Sequence, residues 1–263
     1  MAFVKAGDIT VHYRLSGPEG APVVMFSNSI GTSFQIWDAV AEALSQRFRV
    51  LCYDTRGHGL SDVTQGPYSM ALLARDCVHL LDALGIDSAH FCGLSIGGMI
   101  AQQLAAEHGG RVDRLVLCDT GMRIGTPEMW RERARNTRGP GLESMAEAVL
   151  QRWFTADFFR REPASLAGYR NMLVRTPAEG YAGACEAIRD ADLQASTRTI
   201  AAKTLVVCGS EDIATPPAMS REIAEAVPDA RVEEIVGAAH LPCVEQPRLL
   251  AKVIAGFLEE ARA

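Results

Sequence analysis

The sequence predicts an α/β protein with a doubly wound, mostly parallel sheet and a helical insert. Short apolar runs typical of strands alternate with helical spacing over most of the 263 residues. The central runs are apolar with little alternation, which is the pattern of strands buried on both faces. The alternation stops between about residues 121 and 199, where no strand pattern occurs.

The individual elements follow from local patterns. Residues 3–15 predict two strands around a turn at Gly7-Asp8. Six further β-like runs occupy 22–27, 48–54, 89–93, 113–119, 203–209 and 230–236. Apolar spacing of three and four residues predicts helices at 37–44, 70–84, 96–106, 218–226 and 248–260.

The insert also differs in charge from the rest of the chain. We predict a core domain of residues 1–120 and 200–263 and a helical cap of residues 121–199. The cap contains twelve Arg, no Lys and ten Asp or Glu, a net charge of +2, whereas the remainder carries −8. Breaks at residues 139–141, Pro163 and Pro177 indicate several short helices.

Composition excludes several classes of partner. The net charge of −6 disfavours nucleic acid and anionic membranes as partners. No apolar run approaches the roughly 18 residues of a membrane span, and the first residues lack a signal-peptide core, so we expect a cytoplasmic protein. The seven Cys form no Cys-x-x-Cys pair, which predicts reduced core residues and no metal site.

The first motif with chemical content is Gly93-x-Ser95-x-Gly97. It lies between a predicted strand and a predicted helix, the context that a nucleophile elbow requires. Glycines two residues from the serine avoid collisions in a sharp turn. We therefore predict that Ser95 is a nucleophile rather than part of a generic turn.

A serine nucleophile needs a base and an orienting carboxylate. His240 follows the strand at 230–236, in a loop Gly-Ala-Ala-His-Leu-Pro that has little structural need for histidine. Glu211 and Asp212 both follow the strand at 203–209 and are rival acids. The carboxyl ends of parallel strands meet at one sheet edge, which brings these residues toward Ser95. His58, in a glycine-rich turn, is interpreted as structural.

The transition state of acyl transfer needs hydrogen-bond donors for its oxyanion. One predicted donor is the backbone N–H of Ile96, the residue after the nucleophile. The second is the N–H of Ile30, in the loop after the strand at 22–27. Asn28 and Ser29 of the same loop are candidates for polar contacts with the substrate.

Taken together, these motifs resemble the α/β-hydrolase fold family over essentially the whole chain. They are DTRGHGLSD, GLSIGGMIAQ, VVCGSEDIATPP and GAAHLPCVEQP. Within the family the chain looks most like the 3-oxoadipate enol-lactonases of bacterial protocatechuate breakdown. That narrower resemblance depends on FSNSIGTSFQIWD and on the cap stretches at 130–133, 151–155 and 180–193.

The resemblance implies a function and assigns roles. It selects Asp212 over Glu211 as the triad acid, and it implies a small lactone substrate with one free carboxylate and no metal or cofactor. An Arg-rich cap suits such an anion, because guanidinium binds carboxylate through two hydrogen bonds. Arg133 is the first candidate anchor, with Arg135 and Arg138 behind it. Trp130 and Trp153 are expected to wall the pocket.

Other functions remain open at this point. The same triad serves carboxylesterases, perhydrolases and carbon–carbon bond hydrolases, and a ligand sensor of this fold is a rival of a different class. Haloalkane dehalogenases and epoxide hydrolases of this fold are disfavoured, because they use Asp where this chain has Ser95. The oligomeric state does not follow from the sequence.

Overall fold

A computed structural model describes residues 2–261, so the predicted core range extends beyond it by Met1 and residues 262–263. Eight strands form one sheet in the order β1-β2-β4-β3-β5-β6-β7-β8. Strands β1, β2 and β4 pair antiparallel, and all the other neighbours pair parallel. The strands are β1 (Ala2–Ala6), β2 (Ile9–Ser16), β3 (Val23–Ser27), β4 (Arg49–Tyr53), β5 (Ala89–Leu94), β6 (Val112–Cys118), β7 (Lys203–Gly209) and β8 (Ala230–Ile235).

Helices cover both faces of the sheet and confirm the doubly wound α/β class. The helices of the core are α1 (Asp38–Leu44), α2 (Met70–Ala83), α3 (Ile96–Glu107), α10 (Pro217–Ala226), α11 (Pro242–Glu245) and α12 (Pro247–Leu258). Those between β6 and β7 are α4 (Pro127–Arg138), α5 (Ala146–Trp153), α6 (Ala156–Arg161), α7 (Pro163–Val174), α8 (Ala178–Asp190) and α9 (Gln194–Thr197). Short 3-10 helices lie at Phe34–Trp37, Gly109–Arg111 and Leu142–Met145.

The central strands owe their position to apolar side chains on both faces. Every residue of β5 is buried, and Phe91 of β5 and Val116 of β6 have no exposed surface. Burying a side chain of this kind contributes about 1.5–3 kcal/mol relative to leaving it exposed. The sheet is therefore fixed at its centre, where the strand ends carry the candidate site.

The six helices α4–α9 follow β6 and precede β7, and their buried side chains include aromatic ones. Helix α4 begins at Pro127, with the Thr126 hydroxyl accepting from the N–H of Met129 as N-cap. Trp130 of α4 and Tyr181 of α8 are buried where these two helices pack. We refer to residues 121–199 as the insert.

Across residues 2–261, no helix combines the length and the apolarity that a membrane span requires.

Candidate active site

The sheet register brings four loops together. Ser27 of β3 pairs with Gly93 of β5, so the loop after β3 lies beside the turn after β5. On the other side, Cys118 of β6 pairs with Val207 of β7, and Gly209 of β7 pairs with Ile235 of β8. The loops that follow these strands carry Ser95, Ile30, Asp212 and His240, and all of them open at one edge.

Ser95 lies in the strained turn between β5 and α3. Its φ is 59° and its ψ is −119°, a left-handed conformation that costs free energy in a non-glycine residue. The close packing of this turn requires its glycines, since a Cβ on Gly93 would lie 2.1 Å from the Gly97 carbonyl oxygen. A Cβ on Gly97 would lie 2.3 Å from the Ser27 carbonyl oxygen. The turn therefore presents Ser95 at the N-terminus of α3, where the helix dipole favours negative charge.

His240 and Asp212 form a buried pair. His240 Nδ1 donates to Asp212 Oδ2 at 2.8 Å, and both side chains are almost completely buried. This bond fixes the tautomer of His240 and leaves Nε2 as the nitrogen that faces other groups. Ser95 and His240 line the same cavity. Glu211, the rival acid, is exposed and next in the chain, so its side chain points away from this pair.

Four donors hold the Asp212 carboxylate. Oδ1 accepts from the N–H groups of Ala214 at 2.7 Å and Thr215 at 3.1 Å, and Oδ2 accepts from the Thr215 hydroxyl at 2.6 Å as well as from His240. Burial raises the pKa of Asp212, but His240 and the Thr215 hydrogen bonds outweigh burial and hold the pKa below its ordinary value. Asp212 is therefore an anion at neutral pH. Sequence reasoning missed Thr215, although Asp-x-x-Thr after a strand is a turn pattern that signals such a bond.

A second carboxylate, missed by sequence reasoning, braces the loop that carries His240. Glu245 of α11 accepts from the Ala239 N–H at 2.7 Å and from the Thr155 N–H at 2.9 Å and hydroxyl at 2.7 Å. The Leu241 N–H donates to the Trp153 carbonyl oxygen at 3.2 Å. The insert and the His240 loop are thus tied to each other on both sides of His240.

The loop after β3 forms a tight turn over residues 29–32. The Thr32 N–H donates to the Ser29 carbonyl oxygen at 3.2 Å, with Gly31 at a φ of 78°. Asn28 Nδ2 donates to the Thr32 carbonyl oxygen at 2.7 Å, so the Asn28 amide braces the turn. Among residues 2–261, the N–H groups of Ile30 and Ile96 donate no hydrogen bond to a loop or turn carbonyl. Ile30 lines the cavity together with Ser95, and the role of both N–H groups as oxyanion donors stays a prediction.

A cavity of about 100 Å³ joins the candidate nucleophile to the insert. This volume is well below the roughly 300–1,000 Å³ of sites for drug-sized ligands, which favours a small substrate. Ser29, with its buried hydroxyl oxygen unpartnered, and Ile30 contribute to one wall. Trp130, Arg133, Arg152 and Trp153 line the cavity from the insert.

The guanidinium of Arg133 is held by side chains of the insert. Its Nε donates to the Tyr181 hydroxyl at 2.8 Å and its Nη2 also donates to that oxygen. The guanidinium carbon lies 5.2 Å from the Trp130 ring centroid and 5.4 Å from that of Tyr181. No ion pair between Arg133 and a carboxylate forms within residues 2–261. Within that range, Arg133 therefore has aromatic partners and no carboxylate partner.

The other predicted residues lie elsewhere. Arg135 and Arg138 do not line the cavity, and Arg138 donates instead to Glu179 and Glu186 on the surface of the insert. His58 is buried away from the cavity, with Nδ1 3.3 Å from the Arg56 carbonyl oxygen. Burial lowers the pKa of His58, so it is neutral at pH 7. Arg152 of α5 lines the cavity although sequence reasoning did not select it.

Comparison with known proteins defines the class of protein. The sequence profile described as alpha/beta hydrolase fold matches residues 22–247. The chain belongs to the α/β hydrolase fold family, as the motifs around Ser95, Asp212 and His240 predicted.

Two relatives carry a particular name. The chain is 35% identical to 3-oxoadipate enol-lactonase 2 of Acinetobacter baylyi over 243 residues, 92% of this chain and 91% of that protein. The crystal structure of the enol-lactonase from Burkholderia xenovorans LB400 is 44% identical, with a TM-score of 0.96 over 98% of this chain and 100% of that one. A thermophilic esterase from Thermogutta terrifontis is 29% identical, with a TM-score of 0.91 over 98% and 97% of the two chains.

Proposed function

We propose that this chain is a serine hydrolase that opens 3-oxoadipate enol-lactone to 3-oxoadipate. The observation that carries the proposal is Arg133, a half-buried guanidinium in the same cavity as Ser95 that forms no ion pair with a carboxylate of residues 2–261. A cation in that position suits a small substrate with one free carboxylate. The names of the two enol-lactonase relatives support this choice of lactone.

The first half of the proposed reaction forms an acyl-enzyme. His240 Nε2 takes the proton of the Ser95 hydroxyl, while Asp212 stabilises the imidazolium through Nδ1. The Ser95 oxygen attacks the lactone carbonyl, and the N–H groups of Ile30 and Ile96 stabilise the resulting oxyanion. Collapse breaks the ring C–O bond and expels an enolate, which takes up a proton from His240. The ring oxygen stays on the acyl chain because the lactone was one molecule.

The second half releases the product. Conversion of the enol to its ketone removes the nucleophile that would otherwise close the ring again. His240 then takes a proton from water, and the hydroxide attacks the ester bond to Ser95. Ser95 recovers its proton from His240, and 3-oxoadipate leaves with both of its carboxylates.

The test follows the ultraviolet decay of the enol-lactone. We expect turnover by the purified chain and its loss in Ser95→Ala. Arg133→Met keeps much of the length of the side chain but removes the guanidinium group. A charge-assisted hydrogen bond contributes about 1.5–3 kcal/mol, so we expect KM for the lactone to rise about 10- to 100-fold. KM for p-nitrophenyl acetate, which carries no anion, changes little.

The matched control is Arg138→Met. Arg138 is on the same helix as Arg133 but lies outside the cavity, so its replacement leaves KM for the lactone unchanged. An enzyme that cleaves p-nitrophenyl acetate but leaves the enol-lactone untouched would refute the proposed substrate. Equal effects of the two arginine variants would refute the role of Arg133.

A further inference from the structure

Asp119 is a buried carboxyl group that the proposed reaction does not use. It follows β6 directly and has a φ of 43°, and within residues 2–261 only Ser95 is a second non-glycine residue with positive φ. Its side chain has no exposed surface. Oδ1 accepts from the Gly209 N–H at 2.7 Å, whereas Oδ2 has no partner. A buried polar atom without a hydrogen-bond partner lowers the stability of the folded state by about 1–3 kcal/mol, so Oδ2 needs an explanation.

The neighbours of Asp119 are the two groups that orient the proposed nucleophile. One ligand-type atom from each of Asp119, Asp212 and His240 lies within 4.8 Å of the others. Such a cluster also resembles a metal site, but His240 Nδ1 and Asp212 Oδ2 are only 2.8 Å apart. Two ligands of a tetrahedral zinc ion are separated by roughly 3.3 Å. A hydrogen bond therefore joins His240 to Asp212, and Asp119 lies beside this pair.

Two carboxylates this close in a buried site do not both ionise. Asp212 has four donors and keeps the negative charge, whereas Asp119 has one. Burial and the charge of Asp212 raise the pKa of Asp119 well above its ordinary value.

The remaining titratable groups around Asp119 are thiols. Cys118, Cys208 and Cys243 interact with it electrostatically. Burial raises the pKa of Cys208 to about 11 and that of Cys243 well above its ordinary value. The hydrogen bond with Cys92, followed by burial, does the same for Cys118. All three thiols are neutral at pH 7, so the charges that Asp119 meets are those of Asp212 and, when protonated, His240.

We propose that Asp119 is a protonated positioning residue whose Oδ2–H donates to the Asp212 carboxylate. This role presupposes the triad of the proposed function. The donated bond holds Asp212 in the plane that His240 needs and takes up part of its negative charge. It also keeps the buried carboxyl pair at a single negative charge beside His240.

The protonation state can be measured without substrate. We would record the 13C NMR signal of the Asp119 carboxyl carbon in the wild-type chain from about pH 5 to about pH 8, and assign it by its absence from Asp119→Asn. A protonated Asp119 keeps the chemical shift of a carboxylic acid over this range. A carboxylate chemical shift at pH 7 would overturn the proposal.

A second pair of measurements separates positioning from structure. Asp119→Leu removes the donor at similar size, so we expect an about 10-fold loss in kcat for p-nitrophenyl acetate and no change in KM. Asp119→Asn restores a donor and recovers most of kcat. If Asp119→Leu fails to fold, infrared spectroscopy still tests whether Asp119 is protonated. We expect a carboxylic-acid band in the wild-type chain and its loss in Asp119→Asn. Absence of that band would contradict the proposal.

These outcomes are independent of the lactone. If wild-type protein cleaves neither lactone nor ester, the proposed function fails, but the NMR and infrared measurements still report whether Asp119 carries a proton. If the lactone is cleaved and Asp119 proves ionised, only the positioning role fails.

Discussion

Replacing Thr215 by valine would remove one of the four hydrogen bonds that hold Asp212. The Thr215 hydroxyl makes the shortest of them, at 2.6 Å to Oδ2. Valine puts a methyl group in place of the hydroxyl and keeps the backbone N–H that donates to Oδ1 at 3.1 Å. The turn itself should therefore persist while the carboxylate loses one donor.

The size of the effect follows from burial and charge. A hydrogen bond to a charged group contributes about 1.5–3 kcal/mol, and its loss raises the pKa of Asp212. We expect the free energy of unfolding at pH 7 to fall by the same amount. A less firmly held Asp212 orients His240 less well, so kcat should fall about 10-fold, equivalent to about 1.4 kcal/mol in the barrier.

The pH dependence has a definite sign. The pKa of Asp212 is lower in the folded chain than the ordinary 3.8, so its stabilising contribution is present above pH 3.8. That contribution is lost as the pH falls through the folded pKa. The difference between wild type and Thr215→Val should therefore be constant from about pH 5 to 8 and should shrink below about pH 4.

Urea denaturation across this pH range measures the stability difference, and ester hydrolysis measures kcat. Thr215→Ser is the matched control, because it keeps the hydroxyl and loses only a methyl group. Equal stability of wild type and Thr215→Val at pH 7 would refute the reasoning, as would a difference that grows toward acid pH. If Thr215→Ser lost as much stability and activity as Thr215→Val, the effect would come from the packing of the methyl group and not from the hydroxyl.

Three further variants test the geometry of the site. Gly97→Ala places a Cβ 2.3 Å from the Ser27 carbonyl oxygen, so thermal denaturation should report a loss of about 1–3 kcal/mol and ester hydrolysis should be abolished. Arg138→Ala breaks pairs with Glu179 and Glu186 at the surface of the insert, where ion pairs contribute about 0–1 kcal/mol, so urea denaturation should change little. Tyr181→Phe removes the acceptor that orients Arg133, so KM for the lactone should rise severalfold while KM for p-nitrophenyl acetate stays unchanged. An unchanged KM for the lactone would show that Tyr181 does not position Arg133.

The sheet was predictable because its strands are encoded locally. The continuous apolar run of β5 and the helical spacing of α3 each specify their own conformation, and the glycines around Ser95 specify the turn between them. The shortest helices, of about one turn, were not predicted individually. Helix α11 has four residues, Pro242–Glu245, and that is too few to display a period.

The choice between Glu211 and Asp212 depended on resemblance, because adjacent residues share the same local pattern. The structure separates them by burial: Asp212 is 3% exposed and accepts four hydrogen bonds, whereas Glu211 is exposed. Asp119 left no signal, since it reads as the last residue of an apolar strand. Its partners are at least 90 positions further along the chain, and the pairing of β6 with β7 and of β7 with β8 brings them together.

The arginines of the insert illustrate the remaining limit of sequence reasoning. Arg133 and Arg138 are five residues apart on one helix and have the same chemistry. Arg138 forms ion pairs with two carboxylates, whereas Arg133 forms none within residues 2–261. The difference arises because α8 presents Glu179 and Glu186 on one side and Tyr181 on the other. An arginine paired with carboxylates is satisfied, whereas one held by a phenol and two aromatic faces keeps its charge for a ligand. Under the proposed function, the choice of substrate therefore depends on which arginine pairs with a carboxylate, a property of helix packing that the residue types alone do not specify.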